Sequence, residues 1–169
     1  MSVRDDILSY LDGIGVACDL IEHPPVHTIE DCAWAQENLG CVVPKNLFLT
    51  PRNESFYALC LTRPNALFRT ADFSKQIGSS RLSFGGSEAL MERLKTTPGA
   101  VSPMGLIFPS ASEVPLYLDE QLQKYPRLGF HPNDNTFTLA MATEDFLNAF
   151  LKSLGREPRF ASFPDILSP

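Results

Sequence analysis

The four cysteines of this 169-residue chain, Cys18, Cys32, Cys41 and Cys60, form no CxxC pair. Scattered in a chain of this size, they argue for reduced thiols in a cytoplasm rather than a disulfide frame. No apolar run approaches the roughly 20 residues needed to span a bilayer, so no membrane contact is expected. The stretch MSVRDDILSYLDG carries two aspartates ahead of its apolar positions, which is not the composition of a secretory signal. Without such a signal, the sequon Asn53-Glu54-Ser55 reads as chance. GxSxG, P-loop, dinucleotide-fingerprint and HExxH signatures are all missing. Histidine is scarce, at three residues. His23 and His27 are four apart, but Pro24 and Pro25 between them deny the helical face a zinc pair of that spacing uses. Only His131 would remain as a third nitrogen ligand, so neither a metal nor a cofactor is expected. The cysteines lack an evident base or helix-start position and read as buried small hydrophobes.

What is present suits one soluble domain with one core: 44% apolar and 20% charged residues. The formal charge of −6 argues against indiscriminate nucleic-acid binding. Its distribution is uneven. Residues 45–95 hold eight basic and four acidic side chains, a net +4, which leaves −10 for the rest of the chain. A solvated surface with uneven charge is one reading; a basic face for a polyanion, flanked by acidic surface, is the other.

Periodicity and punctuation predict the elements. Ser2 and Asp5 make a capping box for a helix over 2–13, ended by Gly13 and Gly15. VACDLIEH alternates as a strand, and HPPVHT is extended because its prolines deny helical hydrogen bonds. Thr28 with Asp31 opens a second helix to about Asn38, stopped by Gly40. NLFLT and SFYALCLT read as strands joined by a PRNE hairpin loop. RTADFSKQI is a short helix, RLSF a strand, and Ser87 caps the helix EALMERLK. PGAVSP is a loop leading into a strand MGLIF; VPLYL and NTFTLAMA are further strands. Thr143 caps a last helix to Leu154. The expected class is mixed α/β: a single domain over 1–155 with a curved central mixed β-sheet surrounded by helices. Residues 156–169 form a proline-punctuated tail packed on the domain or trailing from it.

Three stretches resist a purely structural account. Lys45-Asn46 stands at the mouth of the strand NLFLT. Gly99-Ala100-Val101-Ser102-Pro103 combines a glycine that permits close backbone approach with a proline that stiffens the exit. Gly129-Phe130-His131-Pro132-Asn133-Asp134-Asn135 presents an imidazole, two amides and a carboxylate in a polar loop. Singly, each has a plain reading: a solvated lysine, a turn, an Asn-rich connection. Together they supply a cation, backbone N–H donors and a titratable ring, a set that could hold an anionic, carbonyl-bearing ligand.

EHPPVHTIED (22–31), PKNLFL (44–49), RLSFGGSEAL (81–90), PGAVSPMGLI (98–107) and FHPNDNTFTLAM (130–141), running into EDFLNAFLKSLG, carry a resemblance. In that order they resemble the YbaK/prolyl-tRNA synthetase editing-domain family, most closely its free-standing ProX/PrdX type. The match covers about residues 20 to 155. TPRNESF departs from the family's acidic-then-basic turn at Arg52, and LTRPNALFRTADFSKQI is also unusual.

The resemblance implies a YbaK-like domain with a metal-free hydrolytic site that deacylates mischarged tRNA in trans, alanyl-tRNA(Pro) above all. Its lysine falls at Lys45, its GxxxP loop at Gly99 to Pro103 and its histidine at His131. Lys45, Gly99 and His131 are the candidate catalytic set; Asn46, Ala100, Val101, Ser102 and Pro103 are the candidate substrate contacts. Lys45 would bind the terminal phosphate, backbone N–H groups around Gly99 to Val101 would face the developing oxyanion, and His131 would orient the loop or the ribose. Arg81, Lys75 and Arg52, in the basic third, are candidates for the acceptor stem. The implied partners are the tRNA(Pro) acceptor end and, transiently, prolyl-tRNA synthetase. Two alternatives stand beside this: another misacylated ester, cysteinyl-tRNA(Pro) in particular, or a non-catalytic module that binds aminoacyl-tRNA or a synthetase.

Overall fold

The computed structural model describes residues 2–26 and 29–166. The expected capping box opens it: Ser2 Oγ accepts from Asp5 N at 3.1 Å, and Asp5 Oδ2 accepts from Ser2 N at 3.4 Å. Helix α1 (Val3–Gly13) therefore starts with satisfied donors and buries Ile7 and Leu11, four apart on one side. Strand β1 (Asp19–Glu22) and helix α2 (Ile29–Leu39) follow, with Gly40 at φ +60° stopping α2 as expected. The anticipated cap at Thr28 lies outside the described residues.

Strands β2 (Lys45–Pro51) and β3 (Ala58–Thr62) form the expected antiparallel hairpin, with Lys45 opposite Thr62 and Leu47 opposite Cys60. Neighbouring side chains point to opposite sides of a strand. Phe48, Leu59 and Leu61 thus enter the main core, while Leu49 and Cys60 enter a second core with Phe73, Leu82 and Ala161. Helix α3 (Thr70–Gln76) covers that second core with Phe73. Strand β4 (Leu82–Phe84) pairs with the free edge of β2, and helix α4 (Ser87–Leu94) buries Leu90 and Leu94 in the main core. Strand β5 (Leu116–Asp119) runs parallel to β3. Strands β6 (Arg127–Phe130) and β7 (Phe137–Ala142) pair antiparallel, and β7 also takes β1.

The class is mixed α/β, and its strands divide between two sheets. Five run in the order β4-β2-β3-β5-β8, where β8 is Arg159–Ala161, and three in the order β1-β7-β6. Residues 41–43 join them. Gly129 N donates to Val42 O at 2.8 Å, and Val42 N donates to Arg127 O at 3.1 Å. A β-carbon on Gly129 would stand 2.7 Å from Cys41 Sγ and 3.0 Å from Val43, so only glycine lets the two segments close.

Several local expectations fail for identifiable reasons. MGLIF is not a strand: Pro103–Ile107 is a 3-10 helix with proline in its first turn, and Ser102 Oγ accepts from Met104 N at 3.1 Å. Gly105 packs on the end of α4, where a β-carbon would lie 2.4 Å from Leu94 O. Gly129 and Phe130, placed in a loop by sequence, end β6. Gly86, not Ser87, precedes α4 as its cap residue. Thr143 begins the last helix rather than capping it, and its hydroxyl donates to Tyr125 O. That helix is also not uniform: α5 (Thr143–Asp145) passes through a π-helical turn, Phe146–Phe150, into α6 (Leu151–Ser153). The wider turn seats both Phe146 and Phe150 in the core, 5.7 Å apart between ring centroids. Within the tail, Arg159–Ala161 forms β8, parallel to β5.

Candidate active site

The GxxxP loop and the His131 loop lie against each other. Gly99 is exposed, and a β-carbon there would stand 3.1 Å from Asn135 Nδ2. Asn133, at φ +57°, donates from Nδ2 to Leu94 O at 2.8 Å and to Lys95 O at 3.2 Å, tying its loop to the end of α4. Thr96 Oγ1 donates to Ala100 O at 2.8 Å from inside the fold. Asp134 stiffens the same loop: Oδ1 accepts from Thr136 N and Oγ1, and Oδ2 accepts from Arg4 at 2.8 Å. Burial alone would raise its pKa, but these bonds hold the carboxyl below the usual aspartate value.

Within the GxxxP loop the residues divide by role. Ser102 and Pro103 are fully or nearly fully buried, and Ser102 serves as a helix cap. Ala100 is buried, and its N–H donates to Thr97 O at 3.0 Å, so it is spent within the turn rather than available as an oxyanion donor. Gly99 and the half-buried Val101 remain on the accessible side of the loop.

His131 is buried, with Nδ1 donating to Phe137 O at 2.8 Å. A carbonyl can only accept, so Nε2 is left as the acceptor nitrogen. Burial pushes the imidazole pKa below its ordinary value, and the His23 ring adds to this; the Phe137 bond and Asp134 oppose it. The His23 ring lies edge-on to His131, 6.0 Å between centroids. His23 is itself fully engaged, through Nδ1 to Pro24 O at 2.8 Å and Nε2 to Thr138 Oγ1 at 2.7 Å. The sequence weighs His23 only as half of a zinc pair with His27 and as part of the EHPPVHTIED stretch, not as a member of this site. His27 lies outside the described residues.

Strand alternation separates Lys45 from Asn46. Asn46 shares the side of Phe48, toward the main core, whereas Lys45 shares the side of Leu47 and Leu49. The Lys45 amine donates to Ala66 O at 2.8 Å rather than to either loop. Burial lowers its pKa from the ordinary lysine value, Arg63 adds to the shift and Asp119 opposes it. The link from Lys45 to the His131 loop runs through the backbone: Val43, two residues before Lys45, packs on Gly129, two residues before His131. Buried polar atoms are nearly always bonded. Among the described residues three buried side-chain oxygens lack a partner: Asn46 Oδ1, Thr62 Oγ1 opposite Lys45, and Asn133 Oδ1 beside His131.

The nominated basic residues stand apart from this centre. Arg52 is exposed in the β2–β3 hairpin, at the other end of β2 from Lys45, about 20 Å away at the usual rise per residue. Arg81 is exposed next to Leu82, which pairs with Pro51, so it neighbours the same end; its Nε donates to Thr70 Oγ1 at 3.1 Å. Lys75 is exposed near the end of α3. A cavity of about 770 Å³, lined by residues such as Phe108, Leu154, Arg156 and Arg159, contains none of the nominated residues.

Residues 23–149 match the family model of the aminoacyl-tRNA editing domain. The chain is 33% identical over 156 residues to the prolyl-tRNA editing protein ProX of Acetoanaerobium sticklandii, covering 92% of this chain and 94% of that one. It is 30% identical over 165 residues to prolyl-tRNA synthetase associated domain-containing protein 1 of Mus musculus, covering 95% and 96%. A crystal structure of a candidate trans-editing enzyme for prolyl tRNA synthetase superposes with a TM-score of 0.74 at 18% identity, over 98% of both chains, and shares the fold. No helix among the described residues is long and apolar enough to cross a membrane. The chain belongs to the aminoacyl-tRNA editing domain family, and its enzymatic class is that of the aminoacyl-tRNA deacylases.

Proposed function

We propose that the protein is a trans-editing hydrolase that releases the misattached amino acid from tRNA(Pro), with alanyl-tRNA(Pro) as its substrate. The observation that carries this reading is an accessible glycine backbone at Gly99 with the Asn135 side chain against it, Asn135 belonging to the loop that also holds His131 and its acceptor nitrogen. Water adds to the ester carbonyl, the bond to the ribose oxygen breaks, and that oxygen recovers a proton as the amino acid leaves. Backbone N–H groups of Gly99 and Val101 face the oxyanion, because Ala100 is committed to Thr97. His131 Nε2 accepts from a ribose hydroxyl and orients it, and the neighbouring hydroxyl of the substrate helps activate the water. Lys45, at the mouth of β2, binds the terminal phosphate as a point charge.

Selectivity is steric. A synthetase pocket built for proline discriminates weakly against smaller side chains, since each missing methylene is worth only about 1–3 kcal/mol. A second site too small for proline cleaves the alanyl ester and spares the correct one. The protein acts in the cytoplasm, with prolyl-tRNA synthetase as a transient partner.

Alanyl-, cysteinyl- and prolyl-tRNA(Pro), each incubated with wild type and Lys45→Ala, test the reading. The alanyl ester should be released by wild type, the prolyl ester should survive, and the variant should be nearly inactive. Faster release of cysteine would move the substrate; binding without release of any amino acid would make the protein a carrier and sink the proposal.

A further inference from the structure

Residues 163–166 are remote from Lys45 in sequence and adjacent to its partner in space. Ala66, whose carbonyl holds the Lys45 amine at 2.8 Å, is fully buried, and its own N–H donates to Arg63 O at 3.1 Å. Both flanks of Ala66 are bonded to the end of the chain. Leu67 N donates to Pro164 O at 2.8 Å, and Ile166 N donates to Asn65 O at 2.8 Å. Between these bonds Ala66 and Asp165 pair as an isolated antiparallel bridge. Arg63 closes the turn from below: its guanidinium donates to Asp119 Oδ2 at 2.6 Å, Asp165 Oδ1 at 2.8 Å and Phe163 O at 2.8 Å.

The two carboxylates are not equivalent. Asp119 is fully buried and also accepts from the backbone of Arg63 and Gln121, so it belongs to the core of the fold. Asp165 has a side chain 67% exposed and fills no core space. Its contribution is to draw the chain end onto Arg63 and hold the 63–67 turn shut. Lysine carries its charge on a flexible four-carbon stem, and an ammonium tethered by a hydrogen bond arrives at a phosphate already placed.

We propose that residues 163–166 form a clasp that positions the Lys45 amine through the Ala66 carbonyl, with Asp165 as the positioning residue. This rests on the reading of Lys45 as the cation that places the acylated RNA end. Arg63 and Asp119 are the charged groups that act on the amine, and Asp165 reaches it only through Arg63 and the turn.

Competitive acetylation of the full chain with acetic anhydride, read by mass spectrometry, reports amine accessibility without any need for activity. In Asp165→Ala, Lys45 should acetylate severalfold faster than in wild type, while exposed Lys75 and Lys95 keep their rates. Alanyl-tRNA(Pro) deacylation should fall about 10-fold in kcat/KM, as small misplacements of a positioning group do, and Asp165→Glu should restore most of it. An unchanged Lys45 rate in Asp165→Ala overturns the clasp. If that variant fails to fold, Asp165→Leu, which keeps the size of the side chain but cannot accept from Arg63, carries the same labelling test, and an unchanged Lys45 rate there overturns the clasp equally. Faster labelling with no amino acid released by wild type would keep the clasp and remove the editing function. Normal editing abolished by Lys45→Ala, with labelling and rate both intact in Asp165→Ala, would do the reverse.

Discussion

The side-chain amide of Asn135 faces Gly99, so that a β-carbon added there would stand 3.1 Å from its Nδ2. A methyl group asks the amide to give by a few tenths of an ångström, which an asparagine can do. A branched side chain asks it to leave, and the two loops then part. Gly99 is exposed, so the core does not register the change.

Gly99→Ala should therefore keep most deacylation, whereas Gly99→Val should lose about 100-fold. The melting temperature should move by no more than about 3 °C in either. Single-turnover deacylation beside thermal unfolding checks the pair; a valine variant at full activity would separate this contact from the chemistry.

Arg52 and Arg81 share the end of β2 remote from Lys45. If each neutralises one phosphate, alanine at either position should weaken tRNA binding equally for every acyl group. It should also shrink the slope of log affinity against log salt by about 0.7–0.9. Titrations of tRNA(Pro) from 50 to 200 mM salt, on the order used for such slopes, read this out, and kcat should not change. A slope identical to wild type in both variants would assign the two arginines to plain solvated surface.

His131 makes stability depend on pH. Burial depresses its folded-state pKa below the ordinary value near 6.5, so the unfolded chain binds the proton more readily. The stabilisation this group allows is complete above that ordinary value and is lost as pH falls through the folded pKa. Unfolding midpoints should therefore drop on acidification below about pH 6.5, and less steeply in His131→Gln. Parallel slopes for the two proteins would show that the ring already titrates as it does in the open chain.

Some of this architecture was legible in the residues because the interactions responsible are local. The box between Ser2 and Asp5 closes over one turn, Gly40 stops α2 by its own backbone freedom, and the β2–β3 hairpin joins neighbours across a short loop. Alternation in the hairpin was legible too, but not its consequence: both sides are buried, so Lys45 and Asn46 serve different sides of one sheet. The MGLIF run misled because apolar residues in sequence do not reveal that Gly105 must sit on Leu94 O, where a compact 3-10 turn fits. β6 was missed because its pairing is with residues 42 and 139–142, and β8 because its partner is β5.

The candidate site divides in the same way. Residue types marked out the stretches at Lys45, 99–103 and His131 as a cation, donors and a ring, and it was the family resemblance that made them the candidate catalytic set. Which N–H is already spent at Ala100, which imidazole nitrogen accepts, and which carbonyl holds the amine were settled by tertiary structure. Each depends on a partner brought near only when the chain packs, and hydrogen-bond geometry is decided over a few ångströms rather than a few residues.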